Sequence, residues 1–201
     1  MIKTIIFDFG DIFVNLDKPA TYRELEKYGI KDLPEVIRDK NLELEKGLIS
    51  SEDFLNSYKK EFGLDQNDIV NSWNSILIDF PEYRFNFIKK LSEEKKYQLI
   101  LLSNTNEIHI EWIIKNVPFF GKFRNCFDAF YLSHEINLRK PDSNIYEFVL
   151  KMHNLSPENC LFIDDTQENT EAASAMGIQT WNLNPAGEDI INLFSIKKDL
   201  F

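Results

Sequence analysis

The sequence is poor in the residues that build disulfide frameworks and zinc sites. It contains only two cysteines and three histidines among 201 residues. Cys126 and Cys160 are too few for a disulfide framework and fit a reducing compartment. His109, His134 and His153 share no metal-binding spacing with one another or with the cysteines. Zinc chemistry and a disulfide scaffold are therefore not indicated.

Basic residues and long apolar runs are also scarce. The chain has 23 Lys and Arg against 33 Asp and Glu, a formal net charge of −10, which argues against a general nucleic-acid surface. No apolar run approaches the roughly 20 residues of a membrane-spanning helix, and no signal-peptide pattern precedes the first apolar segment. We therefore expect a cytoplasmic protein that binds neither nucleic acid nor membrane.

Apolar residues, by contrast, are sufficient for a full core, at 43% of the chain with 17 phenylalanines. The near-continuous apolar character of five short segments predicts buried strands of a parallel sheet covered on both faces. Helical patterns between the later segments indicate βα units, and so an α/β fold. The predicted strands are residues 4–8, 98–103, 128–132, 160–164 and 179–183.

Residues 17–80 interrupt this βα rhythm. Capping residues at Asp17, at Ser50 and at Asp65 or Asn67 predict helices, and no strand pattern is visible between them. We expect an all-helical cap domain formed by residues 17–80, inserted into a core formed by residues 1–16 and 81–201. The third predicted helix contains Ile69, Val70, Trp73, Ile76 and Leu77.

Polar residues follow four of the apolar segments. Asp8, Ser103 and the pair Asp164-Asp165 come directly at strand ends, and Lys140 follows shortly after another strand. Because ligands of open parallel sheets bind outside the carboxyl ends of the strands, these side chains should meet in one crevice.

Three of these residues predict a magnesium site. Asp8, Asp164 and Asp165 would repel one another unless a cation neutralised them, and Mg²⁺ prefers carboxylate oxygens. We expect Asp165 as a direct ligand and Asp164 as a ligand or as a neighbour that holds a bound water. The second oxygen of Asp8 could attack phosphorus. Asn169 either orients these carboxylates or is merely a polar residue in a first helical turn.

Two further residues suit a phosphate group. The Ser103 hydroxyl and the N–H groups of the turn after it can donate to phosphate oxygens, although a strand-end serine can equally cap the next helix. Lys140 offers a compact positive charge, and Pro141 keeps its backbone extended. Arg139 is interpreted as a structural or surface residue.

The four patches together resemble the motifs of the haloacid dehalogenase-like superfamily, in its phosphatase branch with a small helical cap, and the resemblance covers nearly the whole chain. It implies a Rossmann-like three-layer core, dependence on Mg²⁺ and an aspartyl-phosphate intermediate on Asp8. The motifs are Phe7-Asp8-Phe9-Gly10 through Leu16-Asp17, Leu102-Ser103-Asn104, Lys140-Pro141 and Asp164-Asp165.

The segment from Glu45 to Ser50, with Arg139-Lys140-Pro141 before Ile145-Tyr146, resembles the subgroup that includes bacterial α-glucose-1-phosphate phosphatases. The resemblance implies three sets of site residues. They are Asp8, Ser103 and Lys140 for catalysis; Ser103, Asn104, Lys140, Glu45 and Lys46 for substrate binding; and Asp8, the Gly10 carbonyl, Asp164 and Asp165 for the metal.

One position departs from the family pattern. Most phosphatases of the superfamily carry a general acid and base, an Asp, two residues after the nucleophile, where this chain has Gly10. Asp11 is one residue further on, and a one-residue shift along an extended backbone reverses the side-chain direction. A flexible Gly10 could re-aim it. A general acid or base typically contributes about 10²–10⁴-fold, so its loss favours substrates with better leaving groups, such as anomeric sugar phosphates.

The function predicted from the sequence is a phosphatase acting on a small phosphate ester, with a sugar phosphate favoured. A 2-haloacid dehalogenase shares the Asp nucleophile but needs no metal, and Asp164-Asp165 weighs against it. A signalling receiver domain would place its acidic pair near the start. A non-catalytic phospholigand binder is the third alternative, because of Gly10. The sequence determines neither the substrate nor the oligomeric state.

Overall fold

A computed structural model describes all 201 residues. Five strands form a parallel sheet in the order β5-β4-β1-β6-β7, which confirms the five strands predicted from the sequence. A second sheet contains β2 and β3 in antiparallel pairing. The strands are β1 Thr4–Phe7, β2 Asn15–Leu16, β3 Leu77–Asp79, β4 Gln98–Ser103, β5 Ala129–Leu132, β6 Cys160–Asp164 and β7 Gln179–Asn182.

Helices cover both faces of the parallel sheet. Successive residues of β1 point to opposite faces, so Ile5 and Phe7 belong to one buried cluster and Ile6 to the other. The larger cluster is rich in packed phenylalanine rings, such as Phe13 and Phe123 with centroids 4.9 Å apart. The predicted α/β, Rossmann-like fold is therefore confirmed.

Eleven α-helices and three short 3₁₀ helices connect the strands. The helices are α1 Ala20–Glu26, α2 Glu35–Glu45, α3 Ser51–Phe62, α4 Gln66–Asn74, α5 Glu82–Glu94, α6 Glu107–Asn116, α7 Phe120–Arg124, α8 Ser133–Ile136, α9 Ser143–Met152, α10 Gln167–Ala175 and α11 Leu193–Ile196; the 3₁₀ helices are Pro157–Asn159, Ile190–Asn192 and Lys198–Leu200. None of these helices combines the length and the apolar character needed to cross a membrane.

Helices α1 to α4 pack around a cluster of their own. Leu25, Phe54 and Tyr58 are buried in it, together with Ile108 from α6. The Ser50 hydroxyl accepts a hydrogen bond from the Asp53 N–H at 3.0 Å and so caps α3 as predicted. Asp65 caps α4 in the same manner.

The prediction that no strand interrupts residues 17–80 is wrong. Helix α4 ends at Asn74, and Leu77 lies in β3, which pairs with β2. The Asp17 N–H also donates to the Ile76 carbonyl oxygen at 2.8 Å. With three residues, β3 is too short to show alternation, and its apolar side chains continued the helical periodicity of α4 in the sequence. The division of the chain into a core and a cap domain at residues 17–80 stays a prediction.

Candidate active site

The carboxyl ends of β1, β4 and β6 open into a cavity with a volume of about 530 Å³. We call it the central cavity. Predicted site residues from three of the four sequence patches line it: Asp8 and Gly10 from the first, Ser103 from the second and Asp165 from the fourth. Lys140 also lines it, although its side chain is only 1% exposed. The structure therefore brings the four patches together.

Lys140 is the electrostatic centre of the site. Its ammonium group donates to Asp8 Oδ1 and Asp164 Oδ2, both at 2.7 Å, and to the Leu102 carbonyl oxygen at 2.8 Å. These bonds use all three of its N–H donors. Burial lowers the pKa of Lys140, but the two carboxylates outweigh it and raise that pKa above its ordinary value. Lys140 is therefore a fixed positive charge beside Asp8.

The backbone of Lys140 is fixed by Asn104, a predicted substrate-binding residue. Asn104 Oδ1 accepts from the Lys140 N–H at 2.9 Å, and Asn104 Nδ2 donates to the Lys140 carbonyl oxygen at 2.8 Å. Ser103, by contrast, has only a long hydrogen bond of 3.4 Å, to the Asn104 carbonyl oxygen. Asn106, not Ser103, caps the following helix. The Ser103 hydroxyl is therefore a side-chain donor of this loop that is available to a ligand.

Asp164 lies beneath the cavity wall and is fully buried. Its Oδ1 accepts from the Thr166 N–H at 2.8 Å, and its Oδ2 accepts from Lys140. Asn169 Nδ2 donates to both oxygens, at 3.1 and 3.0 Å. The position of Asn169 thus supports the orienting role and not that of an incidental polar residue.

Asp8 has one committed oxygen and one free oxygen. Oδ1 accepts from Lys140, while Oδ2 accepts no hydrogen bond from the protein. Burial raises the pKa of Asp8 to about 7, with Lys140 opposing the rise and the charges of Asp164 and Asp165 adding to it. The free oxygen of Asp8 is therefore available to a cation or to an electrophile.

A second lysine, Lys18, contacts the other carboxylates of the site. Lys18 Nζ pairs with Asp165 Oδ2 and lies 3.3 Å from Asp11 Oδ2. Burial lowers the pKa of Lys18, and its pairing with Asp165 outweighs this and raises it. Burial also raises the pKa of Asp165. Both groups therefore hold their protons more tightly than usual.

The charges of the site fit a divalent cation. Asp8, Asp164 and Asp165 each offer a carboxylate oxygen, and these oxygens lie within 4.8 Å of one another. With Asp11, four carboxylates face only two lysines, which leaves a formal excess of two negative charges. Burial is the main cause of the raised pKa values of Asp8 and Asp165, and the charges of the neighbouring carboxylates add to it. A Mg²⁺ ion would compensate this excess.

The turn after Asp8 places Asp11 away from the central cavity, which Asp11 does not line. Asp11 has a positive φ of 54°, and its Oδ1 accepts from the Leu16 N–H at 3.0 Å. Gly10 itself has no positive φ, but an added Cβ would lie 2.7 Å from Leu16 Cδ1, the mobile end of a side chain. Asp11 therefore stabilises the turn, and the structure does not aim it at a ligand.

The predicted substrate-binding residues of the inserted segment occupy different places. Glu45 lines the central cavity, where its Oε2 accepts from Arg139 Nε at 2.6 Å. Lys46 does not line it and instead pairs with Asp142 at 3.0 Å. Arg139, interpreted as a structural or surface residue, is part of the cavity wall.

Sequence reasoning missed Lys18 and His109 as cavity residues. Nothing in the pattern around Lys18 separates it from the many solvated lysines. His109 had been considered only as a zinc ligand. Its position in the first turn of α6, directly after the Ser103–Asn106 loop, was the signal that could have located it.

Comparisons with known proteins agree with this geometry. The family described as haloacid dehalogenase-like hydrolase matches residues 2–177. The chain is 29% identical to a D-ribitol-5-phosphate phosphatase of Bacteroides thetaiotaomicron over 196 residues, covering 90% of this chain and 91% of that protein.

Solved structures show the same relationship. A haloacid dehalogenase family enzyme from Bacteroides thetaiotaomicron, in complex with magnesium and inorganic phosphate, has 34% identity and a TM-score of 0.83, covering 96% of this chain and all of the other. A predicted hydrolase of the same family from Porphyromonas gingivalis has 27% identity and a TM-score of 0.85, covering 100% and 98%. The extent of these matches and the arrangement of the four motifs lead to one conclusion: the chain belongs to the haloacid dehalogenase-like hydrolase family.

Proposed function

We propose that the chain hydrolyses a small phosphorylated metabolite, favouring sugar or polyol phosphates, through an aspartyl-phosphate intermediate on Asp8. The observation that carries the proposal is the state of the Asp8 carboxylate. Lys140 holds one of its oxygens, and the other is free, in a cavity with two further carboxylates at cation-binding distance.

The coarser prediction, a phosphoric monoester hydrolase of this family that uses magnesium, is confirmed by the comparisons. The family match covers most of the chain. One relative is a D-ribitol-5-phosphate phosphatase, and a structural neighbour was solved with magnesium and inorganic phosphate.

The residues that would hold the magnesium ion are Asp8, Asp165 and the Gly10 carbonyl, with Asp164 as a further ligand or as an orienting neighbour. Asp165 is better placed for direct contact than Asp164, because it lines the central cavity while Asp164 is fully buried and hydrogen-bonded through both oxygens. When bound, the ion supplies positive charge that polarises the phosphoryl group and allows two anions to approach each other.

Asp8 Oδ2 acts as the nucleophile in this proposal. It forms a bond to phosphorus while the bond from phosphorus to the ester oxygen breaks, and that oxygen leaves with the bonding electron pair and takes up a proton. Water then attacks the phosphorus of the aspartyl phosphate, which releases inorganic phosphate and regenerates the carboxylate. Lys140 favours the ionised form of Asp8 and fixes its orientation, and the Ser103 hydroxyl donates to a phosphoryl oxygen.

The position of Asp11 bears on which esters are hydrolysed. Because Asp11 is used in the turn and Gly10 has no side chain, no carboxylic acid from this motif lies ready to protonate the leaving oxygen. Leaving groups with a low pKa, such as the anomeric oxygen of a sugar or an aryl oxygen, need this proton least. We therefore expect them to leave faster than simple alkoxides.

Residues 17–80 supply the specificity in this proposal. Glu45, Ile76 and Leu77 of this segment form part of the wall of the central cavity. The Glu45–Arg139 ion pair joins this wall to the segment that carries Lys140. Substitutions at Glu45 should therefore change the preference among sugar phosphates more than the turnover of a small aryl phosphate, and Lys46, which points elsewhere, is the matched comparison.

The test is a phosphatase assay of the purified protein with an aryl phosphate and a panel of phosphorylated metabolites, with and without Mg²⁺. Asp8→Asn should reduce turnover to background, because it removes the nucleophile and a metal ligand. Asp39→Asn, which changes an exposed carboxylate of α2, is the control and should leave turnover unchanged. Undiminished turnover in EDTA or in Asp8→Asn would refute the proposal, and activity in EDTA towards a 2-haloacid would support the dehalogenase alternative.

A further inference from the structure

His109 lies at the junction between α6 and α4, on the wall of the central cavity. Its imidazole stacks on the Trp73 ring, with centroids 5.8 Å apart and planes 9° from parallel. Its Nδ1 lies 2.9 Å from Asn74 Oδ1. Trp73 packs in turn against Phe54 and Tyr58 in the buried cluster of helices α1 to α4. The imidazole is therefore held in one orientation.

The partner of Nδ1 determines which ring nitrogen carries the proton. Asn74 Oδ1 can only accept a hydrogen bond, so Nδ1 of His109 must donate to it. Burial lowers the pKa of His109 to about 3, which keeps the ring neutral. Nε2 therefore carries a lone pair and can accept a hydrogen bond.

This lone pair has no use within the protein. Nε2 makes no hydrogen bond to any protein group. Only three side-chain nitrogen or oxygen atoms are both fully buried and without a hydrogen-bond partner, namely Trp73 Nε1, Tyr97 Oη and His134 Nδ1. His109 Nε2 has no partner and is not one of these three, so it is not sealed from solvent. Nε2 is therefore a solvent-accessible acceptor on a residue that lines the central cavity.

Several other polar side chains of the cavity wall already have protein partners. The Asn104 amide uses both of its atoms on the Lys140 backbone, and the Lys140 ammonium uses all three donors. Glu45 is paired with Arg139. His109 Nε2 thus differs from them as a neutral acceptor with a fixed direction and no partner, and its chemical complement is a hydroxyl group.

We propose that His109 Nε2 accepts a hydrogen bond from a hydroxyl group of the substrate, so that His109 selects phosphate esters with a hydroxylated carbon chain over their deoxygenated analogues. Trp73 and Asn74 are positioning residues in this arrangement. The inference rests on the proposed function and specifies the substrate class of the same site.

The test compares three substitutions of His109. His109→Leu removes both nitrogens, His109→Asn keeps a polar group near the position of Nδ1, and His109→Gln keeps one near the position of Nε2. Each variant is assayed with a polyol phosphate (ribitol phosphate), with the unhydroxylated pentyl phosphate, and with an aryl phosphate. The folding of each variant is checked by its thermal midpoint.

We expect His109→Leu and His109→Asn to lower kcat/KM for the polyol phosphate by roughly tenfold, the usual effect of leaving one substrate hydrogen bond unmade in a buried site. Turnover of pentyl and aryl phosphates should change much less. His109→Gln should retain more activity on the polyol phosphate than His109→Asn, and this comparison remains decisive if His109→Leu fails to fold.

The outcomes separate the inference from the proposed function. Equal decreases in kcat/KM on all three substrates, or no advantage of His109→Gln over His109→Asn, would overturn the proposed contact with the substrate hydroxyl. Turnover of the aryl phosphate by the wild type would still support the proposed phosphatase activity. A wild-type protein that hydrolyses the aryl phosphate but shows no preference for the polyol over the pentyl ester would also overturn it. Absence of turnover on every phosphate would overturn the proposed function, and the substrate contact with it.

Discussion

Replacing Lys140 by methionine tests whether the charge arrangement beneath the central cavity controls both stability and catalysis. Methionine has a similar length and no charge, so Lys140→Met leaves the carboxylates of Asp8 and Asp164 buried without their shared cation. Breaking a buried ion pair by removing one partner typically costs about 3–5 kcal/mol. For a domain of this size, 1 kcal/mol shifts the thermal midpoint by about 2–4 °C, so a decrease of roughly 6–20 °C is expected.

The assay is thermal unfolding of the metal-free protein, followed by the phosphatase assay with Mg²⁺. Turnover should fall by at least about 10²–10³-fold, because a fixed positive charge is lost beside the reacting group. Mg²⁺ should raise the thermal midpoint of Lys140→Met more than that of the wild type, since more negative charge is uncompensated. Lys90→Met, which changes an exposed lysine of α5 without an ion pair, is the control and should stay within about 0.5 kcal/mol of the wild type.

A double substitution separates charge from packing. Adding Asp164→Asn to Lys140→Met removes one of the two stranded charges, so the double variant should be more stable than Lys140→Met alone. If Lys140→Met unfolds at the same temperature as the Lys90→Met control, the cluster is not held together by its charges. If it also keeps wild-type turnover, Lys140 has no part in catalysis.

Three further predictions concern Gly10, which has no side chain, and the charged residues Lys18 and Asp189. Gly10→Asp should raise kcat on alkyl phosphates relative to aryl phosphates, because Gly10 has no positive φ, the end of the Leu16 side chain can shift to make room, and a general acid would be restored; an equal change on both would refute this. Lys18→Met should tighten Mg²⁺ binding by about 2- to 5-fold in calorimetry, since a half-exposed cation no longer competes for Asp165; weaker binding would contradict it. Partial burial raises the pKa of Asp189, but hydrogen bonds from Arg84 outweigh it and hold that pKa below its ordinary value. In urea unfolding at pH 7, the free energy of unfolding of Asp189→Asn should therefore be about 1 kcal/mol lower than that of the wild type. This difference should decrease as the pH falls below about 4, towards the lowered pKa. A difference that stays constant would refute the role of the ionised form.

The sequence was most informative where a pattern is local. The buried strands are continuous apolar runs, and the residues directly after them, such as Asp8 and Ser103, were located by their position alone. The topology of a parallel sheet also predicted that these distant residues meet at one edge, but not which atoms contact one another. Lys140 and Asp8 are 132 residues apart in the chain, and nothing local shows that one ammonium group joins two carboxylates.

Strand β3 and the orientations of Asp11 and His109 were not predicted from the sequence for other reasons. Strand β3 has three residues and pairs only with the two residues of β2, so it left no periodic signal. The direction of Asp11 depends on its positive φ, which the sequence around a glycine suggests but does not fix. The orientation of His109 depends on Trp73 and Asn74, which reach it only after α4 and α6 pack.

The β2–β3 ribbon has a consequence for how proteins with this core can diversify. The segment of residues 17–76 begins and ends at two neighbouring points of this ribbon, as the bond from the Asp17 N–H to the Ile76 carbonyl oxygen shows. Because these two points lie side by side, the segment between them can lengthen, shorten or be exchanged without altering the spacing of the strands of the parallel sheet. The entropic cost of closing such a segment also grows only slowly with its length. The ribbon thus separates two kinds of change: the strand ends that carry Asp8, Ser103 and Asp164 can stay constant while the segment between β2 and β3 is replaced as a module.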